Sequence, residues 1–136
     1  KEAFDIFTRC ANQGNAEARY HLGKIYYRGA KDIKRDFAMA RTWFMSAAAS
    51  GSKDALYYLG RMEYRGEEEK RDTLSAFVWL SLARERGAEE GKKELAILTK
   101  TLTTKQKEQA QELITQYREK YVTPFTEDKP TEPDKS

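Results

Sequence analysis

Few side chains in this sequence have the types and spacing that catalysis requires. Residues 50–53 read Ser-Gly-Ser-Lys. This matches the S-x-x-K pattern of penicillin-binding enzymes, in which the serine is the nucleophile. Neither an S-D-N nor a K-T-G sequence follows, so we interpret the stretch as a turn with a helix N-cap. A β-lactam-binding hydrolase that uses Ser50 and Lys53 is kept as an alternative.

The other reactive side chains are too few for most enzyme classes. The chain has one cysteine, Cys10, and one histidine, His21. This excludes an internal disulfide, a zinc site built on cysteines and a His-Glu-x-x-His metal site. We expect Cys10 at a small buried position, His21 in a packing or surface role, and Glu67, Glu68 and Glu69 in a solvated loop. The sequence therefore predicts no catalytic residues, no metal and no cofactor.

Composition favours a helical protein and limits its partners. The 136 residues include 25 Lys+Arg and 22 Asp+Glu, with 39% hydrophobic residues. No window approaches the roughly 18 consecutive apolar residues of a membrane-spanning helix. Residues 1–121 hold 23 basic and 18 acidic residues, a net charge of +5. These bases are scattered among acids and form no stripe for a phosphate backbone, so weak nucleic-acid binding is only a further alternative.

The last segment, 122–136, differs from the rest of the chain. It contains four acidic and two basic residues, together with all three prolines. Such a stretch cannot bury enough apolar surface to offset the entropy of ordering it. We predict an acidic, proline-containing tail that is flexible from about Thr126.

An internal repeat dominates the rest of the sequence. Matches at an offset of 37 residues include Gly14/Gly51, Gly23/Gly60, Tyr27/Tyr64, Arg28/Arg65 and Gly29/Gly66. A third copy begins with matches at an offset of 36 residues: Ala40, Trp43, Ala47 and Gly51 recur as Ala76, Trp79, Ala83 and Gly87. A repeat of this length indicates a solenoid of stacked units.

Each repeat is predicted to contain two helices, which we call helix A and helix B. Asp36 and Asp72 are suitable N-caps for helix A, and Ser52 is suitable for helix B. Gly51 can end helix A because glycine adopts a positive φ at little cost. Gly60 lies within helix B, where glycine costs about 1 kcal/mol relative to alanine. A glycine at that position in two copies therefore predicts a close approach between helices.

The repeat resembles the Sel1-like repeat family, a relative of the tetratricopeptide repeats. Residues 40–51 match A-x-x-W-(F/L)-x-x-A-x-x-x-G, and residues 18–29 match A-x-x-x-L-G-x-x-Y-x-x-G. In the second copy Glu63 replaces the tyrosine of that second pattern. The resemblance implies an all-α, right-handed α/α solenoid of helix-turn-helix units that acts as an adaptor or scaffold. It also implies a bacterial protein, exported or periplasmic rather than cytoplasmic. A β-lactam-binding branch of the family carries paired cysteines, which this chain lacks.

We place the repeats within residues 1–100, at about 3–35, 36–71 and 72–100. Ala96 replaces the helix B glycine in the third copy, as expected of a terminal repeat. Thr103 and Gln106 can form a capping box for a C-terminal capping helix over 101–121. Its predicted apolar stripe is Ala110, Leu113, Ile114, Tyr117 and Tyr121. No comparable lid covers the other end, which leaves open further repeats before residue 1.

The resemblance to tetratricopeptide arrays implies a concave groove lined by helix A. The residues beside the core stripe would form this partner-binding face: Phe4, Thr8, Arg41, Met45, Phe77, Ser81 and Arg84. Aromatic, methionine and arginine side chains are enriched at protein interfaces. Phe4 and Phe77 could equally pack between repeats. We therefore predict a non-catalytic module that binds a protein or a peptide of some acidic character, without nucleic acid, membrane span or small-molecule substrate.

Overall fold

The structure, a computed structural model, describes residues 2–66 and 72–125, with side chains from residue 4 onward, and most of these residues lie in helices. The helices are α1 (Glu2–Asn12), α2 (Ala16–Arg28), α3 (Phe37–Ala49), α4 (Lys53–Arg65), α5 (Thr73–Glu85), α6 (Lys92–Thr101) and α7 (Thr104–Tyr121), followed by a 3-10 helix, Thr123–Phe125. An isolated antiparallel bridge joins Ala30 and Ile33. The all-α prediction is confirmed.

Side chains that accept hydrogen bonds cap the N-termini of the helices at the predicted positions. Asp36 accepts a hydrogen bond from the Met39 amide at 3.1 Å, and Ser52 accepts one from the Ala55 amide at 3.2 Å. Asp72 does the same for Ser75, and both bonds of the Thr103–Gln106 capping box are present. Each bond satisfies a backbone N–H group that the first helical turn leaves unpaired.

The turns between helix A and helix B share one conformation. Gly14, Gly51 and Gly87 occupy the same place in the three repeats and have φ angles of +93°, +115° and +96°. Side chains other than glycine rarely adopt such angles. The spacing of these three glycines in the sequence therefore indicates a turn that recurs in each of the three repeats.

Stacking is closest where helix B of one repeat meets helix A of the next. The most extensive packing joins α2 to α3 and α4 to α5. The helix B glycines allow this approach, since a β-carbon added to Gly23 would lie 2.5 Å from the Phe44 ring. The predicted close approach at these glycines is confirmed.

Helical spacing predicts a buried stripe of Ala40, Trp43, Phe44, Ala47 and Ala48 on helix A and of Ala55, Leu59 and Met62 on helix B, and the core largely follows it. In α3 the buried residues are Ala40, Phe44, Ala47 and Ala48, and in α4 they include Ala55, Leu59 and Met62. Trp43 is half-buried instead, and it packs with α1 and α2 against Ala11, Ala18 and Leu22. Small alanines on one helix and large side chains on the next let consecutive helices interdigitate.

Helix α7 folds back onto α5 and reaches α3, both of which are A helices. Trp79 of α5 stacks on Tyr117 at a centroid distance of 5.4 Å and meets Tyr121 edge-on at 5.3 Å. Ala110, Ile114 and Tyr121 are buried, and Leu113 and Tyr117 pack half-buried beside them. We call the side of α3 and α5 that receives α7 the A-helix face.

The first residues of the predicted 122–136 segment belong to the folded chain. Val122 is buried, and Phe125 lies against the turn at Gly51 with the Arg86 guanidinium 5.2 Å from its ring. These apolar side chains favour burial over solvent, so residues 122–125 continue the folded chain. Residues 126–136 and the predicted acidic loop of Glu67, Glu68 and Glu69 lie outside the described residues.

Candidate partner-binding site

The seven residues predicted to bind a partner fall into groups with different surroundings. Phe77, Ser81 and Arg84 line a single pocket, whereas Phe4 lines a different one. Arg41, Thr8 and Met45 line neither of these two pockets and are engaged by contacts within the fold. Three of the seven predicted residues, all from the third repeat, thus line one pocket.

The pocket at Phe77 lies between α5, α6 and α7 and has a volume of about 310 Å³. We call it the α5–α7 pocket. Its apolar part consists of Phe77 from α5, Leu95 from α6 and Ile114 from α7. Leu95 and Ile114 are buried and Phe77 is half-buried. Helix α7, which was predicted only as a cap, therefore supplies one wall.

The polar part of the α5–α7 pocket comprises Ser81, Arg84, Glu85 and Gln111. Arg118 donates two hydrogen bonds of 2.8 Å to the Glu85 carboxylate, one from Nε and one from a terminal nitrogen. These bonds raise the pKa of Arg118. Arg84 is exposed and makes no ion pair within the described part of the chain. The lining therefore carries one uncompensated positive charge.

Phe4 and Arg41 occupy equivalent positions in helix A of the first two repeats, and each contacts helix B of its own repeat. The Phe4 and Tyr26 rings meet edge-on at 6.1 Å, and Arg41 forms an ion pair with Glu63, whose side chain is 12% exposed. Sequence reasoning registered Glu63 as a departure but missed its partner. The sequence contained a signal for this pair, because Phe4 and Tyr26 of the first repeat are both replaced in the second, by Arg41 and Glu63.

Thr8 and Met45 are also equivalent positions, and both are partly covered. The Thr8 hydroxyl donates a hydrogen bond of 2.8 Å to the Phe4 carbonyl, one helical turn earlier. Met45 is half-buried against the main core. Neither side chain forms part of the α5–α7 pocket.

A second pocket, of about 480 Å³, lies between the start of α1 and the loop that joins α2 to α3. Phe4, Ala30 and Ile33 supply its apolar lining, and Asp5, Lys31 and Asp32 its charged lining. The two acids and one base leave no excess of positive charge there. Of the predicted residues, only Phe4 borders it.

The serines of the S-x-x-K stretch are used by the fold. Ser50 donates a hydrogen bond of 2.9 Å to the Ser46 carbonyl and accepts one from Arg19. Ser52 caps α4, as predicted, and Lys53 is an exposed residue of its first turn. The Ser50 hydroxyl thus ties the first repeat to the turn of the second.

The single histidine and the single cysteine belong to the N-terminal packing. His21 Nε2 lies 3.2 Å from a Glu17 carboxylate oxygen, and the imidazole stacks on Phe7 at 5.0 Å. Glu17 is four residues earlier on the same helix, a spacing at which helical side chains meet. Cys10 is half-buried beside the cluster of Ala11 and Leu22.

The described residues form neither a cluster of metal ligands nor a membrane-spanning helix. Among them, no three side chains of histidine, cysteine, aspartate or glutamate converge as metal ligands would. None of the helices formed by these residues combines the length and apolar character needed to cross a membrane.

Comparison with known proteins identifies the repeat. The Sel1 repeat matches residues 16–52 and 53–87. The chain is similar to a solved structure of c5321, a protective antigen of uropathogenic Escherichia coli with an SLR fold, at 33% identity and a TM-score of 0.79 over 88% of this chain and 26% of the other. It is 41% identical over 46 residues to HRD3A of Arabidopsis thaliana, an ERAD-associated E3 ubiquitin-protein ligase component, covering 34% of this chain and 7% of the plant protein.

The chain therefore spans about a quarter of the solved relative and a small part of the plant relative. The family match covers more than half of its residues, and its starting points at residues 16 and 53 coincide with the beginnings of α2 and α4. The SLR-fold similarity extends over most of the described helices and confirms the predicted solenoid. The chain belongs to the Sel1 repeat family.

Proposed function

We propose that this chain is a non-catalytic interaction module that binds a partner protein or peptide at the α5–α7 pocket of its A-helix face. Sel1 repeats are known as protein-interaction modules and are generally not catalytic. We further propose a bacterial origin, which the similarity to the Escherichia coli antigen over 88% of the chain supports.

The observation that carries this proposal is the composition of the α5–α7 pocket. It joins an apolar base at Phe77 and Ile114 to an exposed arginine, Arg84, that has no ion-pair partner among the described residues. Arginine and aromatic side chains are enriched at protein interfaces, and arginine is frequent among their hot spots. The pocket thus has the chemistry of a docking site for a side chain.

The walls of this pocket are fixed before any partner arrives. Ile114 is buried, and the stacking of Trp79 on Tyr117 holds α7 on α5. The Arg118–Glu85 pair fastens the same two helices nearly two turns further along α5. A preformed surface lowers the entropy cost of association, which favours binding by a small site.

Photo-crosslinking from two glutamines of α7 tests the proposal. A benzophenone amino acid replaces either Gln111, which lines the pocket, or Gln109, an exposed residue turned to another side of the same helix. We expect a partner from the source cells to crosslink from position 111 and not from position 109. Equal capture from both positions would show that binding does not use the pocket, and no capture from position 111 would reject the proposed function.

A further inference from the structure

The lining of the α5–α7 pocket also indicates which segment of a partner it accepts. We propose that it binds a peptide that carries one large apolar side chain next to an acidic residue. The apolar side chain enters between Phe77, Leu95 and Ile114, and the carboxylate pairs with Arg84. This inference rests on the proposed function and specifies the chemistry of its ligand.

The size of the pocket limits the apolar part of the ligand. Its volume of about 310 Å³ lies at the lower end of the range for ligand sites in proteins, about 300–1,000 Å³. It suits a single side chain of leucine, methionine or phenylalanine size better than a cofactor. The base of Leu95 and Ile114 is apolar and buried, so it favours a side chain without polar atoms.

Charge selects the residue beside that side chain. Glu85 is the negative group of the lining, and its carboxylate already accepts both hydrogen bonds from Arg118. Arg84 has no such partner in the described part of the chain. An acidic ligand would therefore neutralise the one unpaired charge, whereas a basic ligand would add to it.

Two neutral groups complete the recognition. Ser81 of α5 and Gln111 of α7 both line the pocket, and their side chains form no hydrogen bond with described residues. A hydroxyl and a primary amide can each donate to and accept from a peptide backbone. These groups fit an extended peptide segment, whose own N–H and C=O groups need partners once water is displaced.

The direct test uses three heptapeptides and nuclear magnetic resonance of the ¹⁵N-labelled 136-residue chain. The probe is Gly-Gly-Asp-Leu-Asp-Gly-Gly; the controls replace Leu by Ala, or both Asp by Lys. A single anchor with one ion pair is expected to bind in the millimolar range. We expect amide shifts at Ser81, Arg84 and Gln111 with the probe alone. Equal shifts with either control, or no shifts with the probe, would overturn the inference.

Charge reversal then identifies the arginine. Arg84→Glu should weaken binding of the aspartate probe at least about fivefold, as expected for loss of an ion pair and a new repulsion. It should also allow the lysine peptide to bind. The matched control is Arg9→Glu, which reverses an exposed arginine on α1, a helix that contributes no residue to the pocket lining. If both reversals have the same effect, general charge rather than Arg84 is responsible, and the inference fails.

These results separate the inference from the function on which it rests. Crosslinking of a partner from position 111 without binding of the aspartate probe would leave the interaction site standing and reject the acidic-apolar ligand. Loss of crosslinking from position 111 would reject the site itself, whatever the peptides do.

Discussion

Gly60 of α4 and Leu80 of α5 are in such close contact that a β-carbon on Gly60 would lie 2.6 Å from two carbon atoms of the Leu80 side chain. Gly23 and Phe44 have the same relationship one repeat earlier, at 2.5 Å. In both cases the glycine of helix B receives a large side chain from the helix A that follows. This contact sets the distance between successive repeats.

Gly60→Ala should therefore destabilise the chain although alanine is the better helix former. We expect the gain in helix propensity of about 1 kcal/mol to be exceeded by overpacking, which costs about 1–3 kcal/mol. Urea unfolding followed by circular dichroism measures the net loss. The control is Ala96→Gly at the exposed equivalent position of α6, which should lose only the propensity. A higher free energy of unfolding for Gly60→Ala would contradict the steric explanation.

Arg41→Glu should reduce stability and not merely weaken a partner. The substitution places a second carboxylate beside Glu63, whose side chain is only 12% exposed. We expect a loss of about 1–3 kcal/mol in the free energy of unfolding, because a nearly buried charge loses its partner. The exchange of both charges, Arg41→Glu with Glu63→Arg, should recover most of this loss. No recovery in the double variant would show that the pair itself is unimportant.

Tyr121→Ala should loosen α7 from the A-helix face. The Tyr121 ring is buried against Trp79, so its removal should cost about 3 kcal/mol or more in stability. In a Trp43→Phe background Trp79 is the remaining tryptophan, and its emission should shift to the red as water reaches it. Gln116→Ala, at an exposed residue of α7, should leave both measurements unchanged. An unshifted emission spectrum in Tyr121→Ala would mean that α7 is held by other contacts.

Alkaline pH should destabilise the fold through Tyr20. Burial, followed by the nearby Tyr58, raises the pKa of Tyr20 above its ordinary value of 10.0. At pH values below this ordinary pKa the phenol is protonated in both the folded and the unfolded chain, so Tyr20 contributes fully to the free energy of unfolding. Above it the unfolded chain ionises first, so the free energy of unfolding should fall by about 1.4 kcal/mol per pH unit for this group. Urea unfolding between about pH 9 and pH 11 should show that the free energy of unfolding of Tyr20→Phe falls less steeply with pH. An unchanged slope would assign the pH dependence to another group.

Local signals in the sequence were sufficient for the repeat and its helix ends. Asp36, Ser52 and Thr103 act through atoms within three residues of themselves, so their residue types predict their roles. Gly23 and Gly60 were informative because glycine within a helix is costly unless another helix comes close. The helical spacing of the apolar residues placed Ala40 and Phe44 in the core.

The helices against which α7 packs could not be predicted in this way. Its apolar stripe showed that one face is buried but not which helices receive it. The third repeat contains a clue: Lys93 and Lys100 of α6 occupy the positions of Tyr57 and Tyr64 in α4. Both lysines are exposed, so the outer face of α6 is too polar to bury another helix. Because α7 takes the A-helix face instead, it completes a pocket with Phe77, Ser81 and Arg84 that no single repeat could form.

The contact between Phe125 and Gly51 has a consequence for folding. In most repeat arrays each unit touches only its neighbours, so the terminal unit frays first. Here the segment after α7 closes over the third repeat and reaches the turn of the second. This contact, which we call the C-terminal clasp, joins residues far apart in sequence. Contacts of this kind slow folding. Because the clasp holds the second and third repeats together, we expect these two repeats to open together. The first repeat lies outside the clasp and is the unit whose amide protons should exchange earliest.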